Sequence, residues 1–396
     1  MKNTKIILAG DMFPMPCNYA LFAAGDTQAL FGKKLCDLFA SADFRICNLE
    51  GCFTDNDTPI EKIGPNIKAP TETVRAVKQL GIDVATLGNT HSMDYGRQGF
   101  YDTCQTLADN GIDWLGWGEN ASSVKRYHTL TDGDRKILLY NVTEQFENAP
   151  GEDSPGVHLY DEYRVCRELK ELKEQCDFLI VLYHGGIEGS HYNSEIMRRR
   201  FHRMADNGAD LIISQHTHAI GEEERYNNAY LLYGHGNFCF HFRPDVTPLL
   251  AEGLVLELDI TEDGFTVTPH RILRTEQGCV YDEAQDLTEF YARSRRHDAL
   301  LNGDQEALAE FENNFGKDCA KWANGFFSLL RGNNPADAEM RKTLSPEAFT
   351  DYLIKSYSRQ QLLGIQLFMR NEEFNEMANQ ILSDLLKEQD HTEKEL

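Results

Sequence analysis

The feature that most constrains this chain is a rhythm: short β-prone apolar runs alternate with amphipathic stretches through its first two thirds. Strands are predicted at 5–9, 44–47, 84–87, 113–116, 136–141, 178–183, 211–214 and 230–233. Two more, 254–260 and 265–269, flank Glu262-Asp263-Gly264 and read as a hairpin. Helical segments at 71–80, 100–110, 162–175 and 194–207 lie between strands. Gly81 and Gly111 follow the first two, as glycines follow helix ends. Doubly apolar strands separated by helices predict an α/β layered domain, to which the hairpin adds antiparallel strands.

From about Tyr281 the composition shifts to Glu, Leu, Ala, Phe and Arg, with helical spacing over 306–330, 346–368 and 372–386. The expected organisation is therefore a domain over 1–280 and a helical region over 281–396. The apolar stripe from Leu362 to Met369 suits core or a homo-oligomer seam through the C-terminal helices. Ten cysteines in 396 residues are too sparse for a disulfide scaffold, and no CxxC pair supports a zinc knuckle. No apolar run reaches the ~18 residues of a membrane span or matches a signal peptide, so a membrane anchor is not expected and a cytoplasmic protein is. The net charge of −24 argues against nucleic acid as a partner. An anionic substrate would need a local positive centre, and a bound metal supplies one.

The informative residues follow the strands. KIILAG ends in Asp11, FRICNLEG in Asn48 and Glu50, and VATLGNTHSMD in Asn89, His91 and Asp94. FLIVLYHGGIEG ends in His184 and Glu188, and LIISQHTH in His216 and His218. Each fragment has an ordinary reading, since a lone Asp caps helices and a His beside glycines can be a turn residue. Together they fall where open α/β sheets bind ligands, at the strand ends. The pairs Asn89/His91 and His216/His218 would point the same way in extended backbone, so that one turn serves one site twice.

These stretches carry a resemblance. GDMFP (10–14), NLEG (48–51), GNTHSMDYG (88–96), HGGIEG (184–189), HTH (216–218) and YGHGNFCF (233–240) resemble the CapA (PgsA) family of capsule and poly-γ-glutamate synthesis proteins. The core of that family is similar to calcineurin-like metallophosphoesterases. The resemblance covers roughly residues 5–275 and implies a layered α/β-β-α metallophosphoesterase-like sandwich. It implies two divalent metals: Asp11 and His218 on the first, Glu50 bridging, and Asn89, His184 and His216 on the second. It makes His91 the acid that protonates a leaving group, oriented by Asp94, and Glu188 a supplementary ligand. The chain departs from ordinary metallophosphoesterases at Phe13, where a histidine is usual, and at Glu50, which replaces a shorter aspartate.

Residue chemistry runs the same way. Carboxylate, imidazole and amide donors suit Mn, Fe or Zn, and such a pair of ions generates hydroxide and stabilises an in-line displacement. A carboxylate such as Asp94 would keep His91 protonated. Asn237 is expected to fix a loop close to the metals, and Lys68 to contact an anionic small-molecule or polymer substrate. Three functions stay open: a metal-dependent phosphoester hydrolase, an amide or γ-glutamyl hydrolase at the same site, and a metal-bound, non-catalytic component of polymer synthesis or export.

Overall fold

The computed structural model describes residues 3–62, 64–144, 149–242, 250–320, 328, 330–331, 334–370 and 382. Along β1 (Thr4–Phe13) alternate side chains enter different cores: Ile6 and Leu8 one cluster, Ile7 and Ala9 another. The same split recurs in β9 (Arg135–Thr143) and β11 (Phe178–His184). Ile137, Leu139, Ile180 and Leu182 join Ile6 and Leu8, while Leu138, Tyr140, Leu179 and Val181 face away. This period of two is the pleat of a strand buried on both faces. It builds four layers, helices–sheet–sheet–helices, with the shared cluster between the sheets.

The first sheet has eight strands. Its order is β18 (Cys279–Tyr281), β17 (Phe265–Arg274), β16 (Glu252–Ile260), β1, β2 (Phe44–Leu49), β5 (Val84–Thr86) and β6 (Asp113–Leu115), with β15 (Asn237–Phe240) on the end of β1. From β1 to β6 the pairing is parallel, and the 252–274 hairpin adds antiparallel strands as expected. The second sheet runs β13 (Glu223–Tyr226), β14 (Ala229–Leu232), β12 (Leu211–Gln215), β11, β9 and β8 (Tyr127–Asp132), parallel at its centre. Short pairs join β3 (Cys52–Phe53) to β4 (Lys68–Ala69) and β7 (Trp117–Gly118) to β10 (Gly156–Val157).

Helices α1 (Tyr19–Ala24), α2 (Thr27–Ala40), α3 (Val74–Gln79) and α4 (Gly96–Asp109) cover the first sheet through Phe22, Phe31, Val77 and Phe100. The second sheet is covered by α5 (Glu162–Lys173) and α6 (Glu195–Asp206). Val165, Leu169, Leu172 and Met197, Phe201, Met204 form their inner stripes. Both helices start at a side-chain cap, Asp161 to the Arg164 N–H and Ser194 to the Met197 N–H. Sequence periodicity missed α1 and α2 because Gly25 (φ 70°) ends one and Gly32 (φ 67°) breaks the other.

Two compact units divide the chain, residues 1–315 and 316–396. The compositional change at Tyr281 thus lies inside the first unit rather than at its end. The reason is α7 (Thr288–Leu301), which packs back on β13: Ser294 Oγ accepts from the Glu223 N–H at 3.0 Å and His297 Nε2 lies 3.1 Å from Glu224. Beyond it, helices span Gln305–Ala320, Pro335–Thr343, Pro346–Lys355 and Arg359–Arg370. Asn334 and Ser345 cap the second and third of these. Apart from Leu382, the helix expected over 372–386 lies outside the described residues. No helix among the described residues is long and apolar enough to cross a membrane.

Candidate metal centre

The parallel strands of both sheets end at one edge, and the side chains that follow them meet there. Asp11 sits in β1 where its register with β2 and β15 shifts, a bulge that re-aims a side chain. The backbone is so close here that a Cβ on Gly10 would meet Gly236 O at 2.2 Å. Glu50 follows β2, His184 ends β11, and His216 and His218 follow β12. Asp11, Glu50 and His184 are wholly buried, and His216 and His218 are nearly so.

Two groups of donors result, each with its ligand atoms within 4.8 Å of one another: Asp11, Glu50 and His218, and Glu50, His184 and His216. Glu50 belongs to both. Asp11 Oδ2 stands 3.2 Å from His218 Nδ1, and Glu50 Oε1 stands 3.5 Å from His184 Nε2. Adjacent ligands on one ion with ~2.1 Å bonds lie about 3.0–3.4 Å apart; the Asp11–His218 spacing falls in that range and the Glu50–His184 spacing lies just beyond it.

The chemistry of the donors fits divalent ions as well. Neither carboxylate oxygen of Glu50 has a hydrogen-bond partner, although both are buried. Such an acceptor costs about 1–3 kcal/mol or more, and a cation would remove that cost. Burial first, then the Asp11 charge, pushes Glu50 well above the usual carboxylate range. Burial also opposes ionisation of Asp11, but His218, His184 and Asn48 outweigh it and hold that carboxyl low. Burial pushes His184 down to about 3 and His216 well below the ordinary imidazole value. Neutral imidazoles are the form that ligates metal.

Backbone geometry corrects one expectation. The His216/His218 pair is not extended: His216 has φ 89° and His218 φ 55°. Both sit in the left-handed region that costs non-glycine residues about 1–2 kcal/mol. That conformation lets the His216 N–H reach Asp11 Oδ2 at 3.2 Å while both rings turn to the centre. Asn237 Oδ1 lies 2.9 Å from the same His218 nitrogen that faces Asp11, so that Nδ1 either donates to this amide or ligates a cation. Glu188 Oε1 lies 3.9 Å from His216 Nε2, at the margin of the second group.

Asn89 is close, but its amide is committed elsewhere. Its oxygen accepts from the His91 N–H (3.1 Å) and Ser92 Oγ (2.9 Å), and its nitrogen donates to Leu49 O (2.9 Å) and Asn48 Oδ1 (3.1 Å). In this arrangement Asn89 braces the loop and presents no vacant lone pair to a metal. Lys68 is also turned aside. Its ammonium binds Asn56 O at 2.7 Å and Asp57 at 2.6 Å, away from the carboxylates and imidazoles of the centre. Phe13, where the resemblance expects a histidine, packs on Phe53 at 5.2 Å and against Gly51.

His91 and Asp94 form the expected pair, Nδ1 to Oδ2 at 2.7 Å. The carboxylate does not keep His91 charged, however, because burial outweighs it and lowers the imidazole. Two residues without an assigned role in the sequence reading matter here. Asn48 links both sides of the centre, donating to Asp11 Oδ1 at 2.8 Å and lying 3.4 Å from His184 Nδ1. Lys62 reaches Asp94 Oδ1 at 2.6 Å, with only 6% of its side chain exposed. Asn48 stands out in the sequence as a polar strand-end residue two positions before Glu50; nothing local marks Lys62.

Comparison with known proteins agrees with the motifs. The family model described as bacterial capsule synthesis protein PGA_cap matches residues 5–241. The PGA biosynthesis protein CapA of Bacillus subtilis is 29% identical over 178 residues, 44% of this chain and 47% of the relative. The capsule biosynthesis protein CapA of Bacillus anthracis is 28% identical over 181 residues, 44% of each chain. The chain thus spans about half the length of these curated relatives. Among solved structures, a phosphatase from Mycoplasma pneumoniae aligns with TM-score 0.43 and 14% identity, over 73% of this chain and 99% of that one. The breadth of the family match, more than half the sequence, settles the affiliation: this chain belongs to the bacterial capsule synthesis protein family PGA_cap.

Proposed function

We propose that the chain is a divalent-metal-dependent hydrolase of anionic substrates, a phosphoester in the first instance, acting in capsule or poly-γ-glutamate metabolism. One observation carries this reading: the buried, unbonded carboxylate of Glu50 is common to two groups of ligands. Asp11 and His218 would complete one site, and His184 and His216 the other, for Mn, Fe or Zn. When bound, such ions supply Lewis acidity and make water acidic enough to attack at neutral pH.

The chain's own residues supply the rest. A protein of net charge −24 repels anions at long range, so attraction has to be local. His91 is partly exposed and its Nδ1 is engaged by Asp94; burial leaves its Nε2 bare at rest, so that atom would first take up a proton and then pass it to a leaving group. Phe242 and Phe240 lie 4.7 and 5.6 Å from the His218 ring and stack on each other, an apolar wall that limits water on that side.

The test begins with protein purified without chelator, which should contain close to two divalent ions per chain. With Mn²⁺ it should hydrolyse generic phosphodiesters or phosphomonoesters. For alkyl esters, whose leaving group needs a proton, His91→Ala should lower turnover about 10²–10⁴-fold with metal retained. Full metal loading with no turnover of phosphate, amide or γ-glutamyl substrates would overturn the reading in favour of a metal-bound binding component.

A further inference from the structure

We propose that Lys62 is a positioning residue for His91: through Asp94 it fixes the direction in which the imidazole offers its free nitrogen. The inference rests on the hydrolase reading only for its kinetic consequence.

Asp94 is wholly buried, and its two oxygens are divided among three donors. Oδ2 takes His91 Nδ1 at 2.7 Å and the Ile67 N–H at 2.6 Å; Oδ1 takes Lys62 Nζ at 2.6 Å. The same ammonium donates to Thr90 O at 3.0 Å and stands 3.4 Å from His91 Nδ1. A third backbone tie, Ile60 N–H to Asp94 O at 2.9 Å, comes from the same loop. Asp94 is therefore held between the loop before β4 and the turn that carries His91. Without Lys62, one oxygen of a buried carboxylate loses its partner, an arrangement that costs more than an ordinary lost hydrogen bond. The carboxylate would rotate toward other donors, and that change releases His91 Nδ1. A cation beside Nδ1 also keeps that nitrogen's proton aimed at Asp94 rather than at Lys62, which leaves Nε2 as the exchanging atom.

A residue that merely stiffens the loop would slow every substrate alike, whereas one that acts through a general acid affects only leaving groups that need a proton. The experiment compares a p-nitrophenyl phosphodiester, whose leaving group departs unprotonated, with the corresponding alkyl diester, on the full Mn²⁺-loaded chain. Lys62→Met and His91→Ala should each lose at least about 10-fold in kcat on the alkyl ester and less than about 3-fold on the nitrophenyl ester. The double variant should be no slower than His91→Ala, and Lys62→Arg should regain part of the loss. Equal slowing of both esters by Lys62→Met, or multiplicative loss in the double variant, would overturn the proposal.

A second arm needs no turnover. In ¹⁵N-histidine spectra of the metal-free chain, His91 should be the Nδ1–H tautomer, and Lys62→Met should give a mixture. An unchanged tautomer overturns the role of Lys62 even if the wild type hydrolyses neither ester, an outcome that counts against the hydrolase reading separately. If Lys62→Met does not fold, Lys62→Gln, which keeps a donor and drops the charge, is measured in the same two ways.

Discussion

Oε1 of Glu50 faces Nε2 of His184 at 3.5 Å, both side chains wholly buried, with no hydrogen bond satisfying the carboxylate. Such a pair would suit a cation, and its unbonded carboxylate is a liability without one. Its folded-state carboxyl lies above the unfolded value of 4.5, so the metal-free chain loses stability from Glu50 as pH rises through that window. Glu50→Gln should leave the metal-free protein as stable as wild type or up to about 3 kcal/mol more stable at pH 7. The same substitution should abolish the rise in Tm on adding Mn²⁺. Thermal denaturation with and without metal reads both effects.

The two left-handed histidines give a second expectation. His216→Gly and His216→Ala both remove the ligand, but only alanine must hold φ 89° with a Cβ. The glycine variant should be the more stable by about 1 kcal/mol in urea denaturation, the reverse of the usual order. Alanine equal to or more stable than glycine would mean that the loop does not hold this conformation in solution.

Asn237 Oδ1 stands beside the His218 nitrogen that faces Asp11, at the edge of the cation site. Asn237→Leu should keep the fold and weaken divalent-metal affinity about 10–100-fold, the cost of losing a polar group next to a ligand. Calorimetric titration with Mn²⁺ or Zn²⁺ measures it, and unchanged affinity would remove Asn237 from the centre.

His158 tests pH dependence apart from the carboxylates and imidazoles of the centre. It is buried with Nδ1 2.8 Å from Asn141 O, and burial pushes it down to about 3 from 6.5. The unfolded chain takes up this proton below about pH 6.5 and the folded chain does not until about pH 3. Stability from His158 is thus full above 6.5 and lost as pH falls toward 3. His158→Gln should make that acid arm shallower, by at most about 1.4 kcal/mol per pH unit, in denaturation curves taken from pH 4 to 7.

Much of the centre was legible in the chain alone. Short β-prone apolar runs such as 5–9 or 178–183 express a local strand preference, so the strands and the residues after them could be placed without tertiary knowledge. That located Asp11, Glu50, His184, His216 and His218, and the two ligand groups contain those five. Convergence at a strand edge is a property of parallel sheets in general, not of this sequence.

Orientation and long-range pairing were decided only by the closed structure. Asn89 follows a strand as a ligand would, yet its amide turns to Leu49 and Ser92 because those groups arrive from other segments. Lys68 and Lys62 are both loop lysines in the sequence; the fold sends one to Asp57 and buries the other against Asp94, 32 residues away. The first unit extends past Tyr281 because α7 finds its partner in β13, some seventy residues earlier. Strand and turn preferences act over a few neighbours, whereas these contacts form only when layers dock and buried polar groups must find partners.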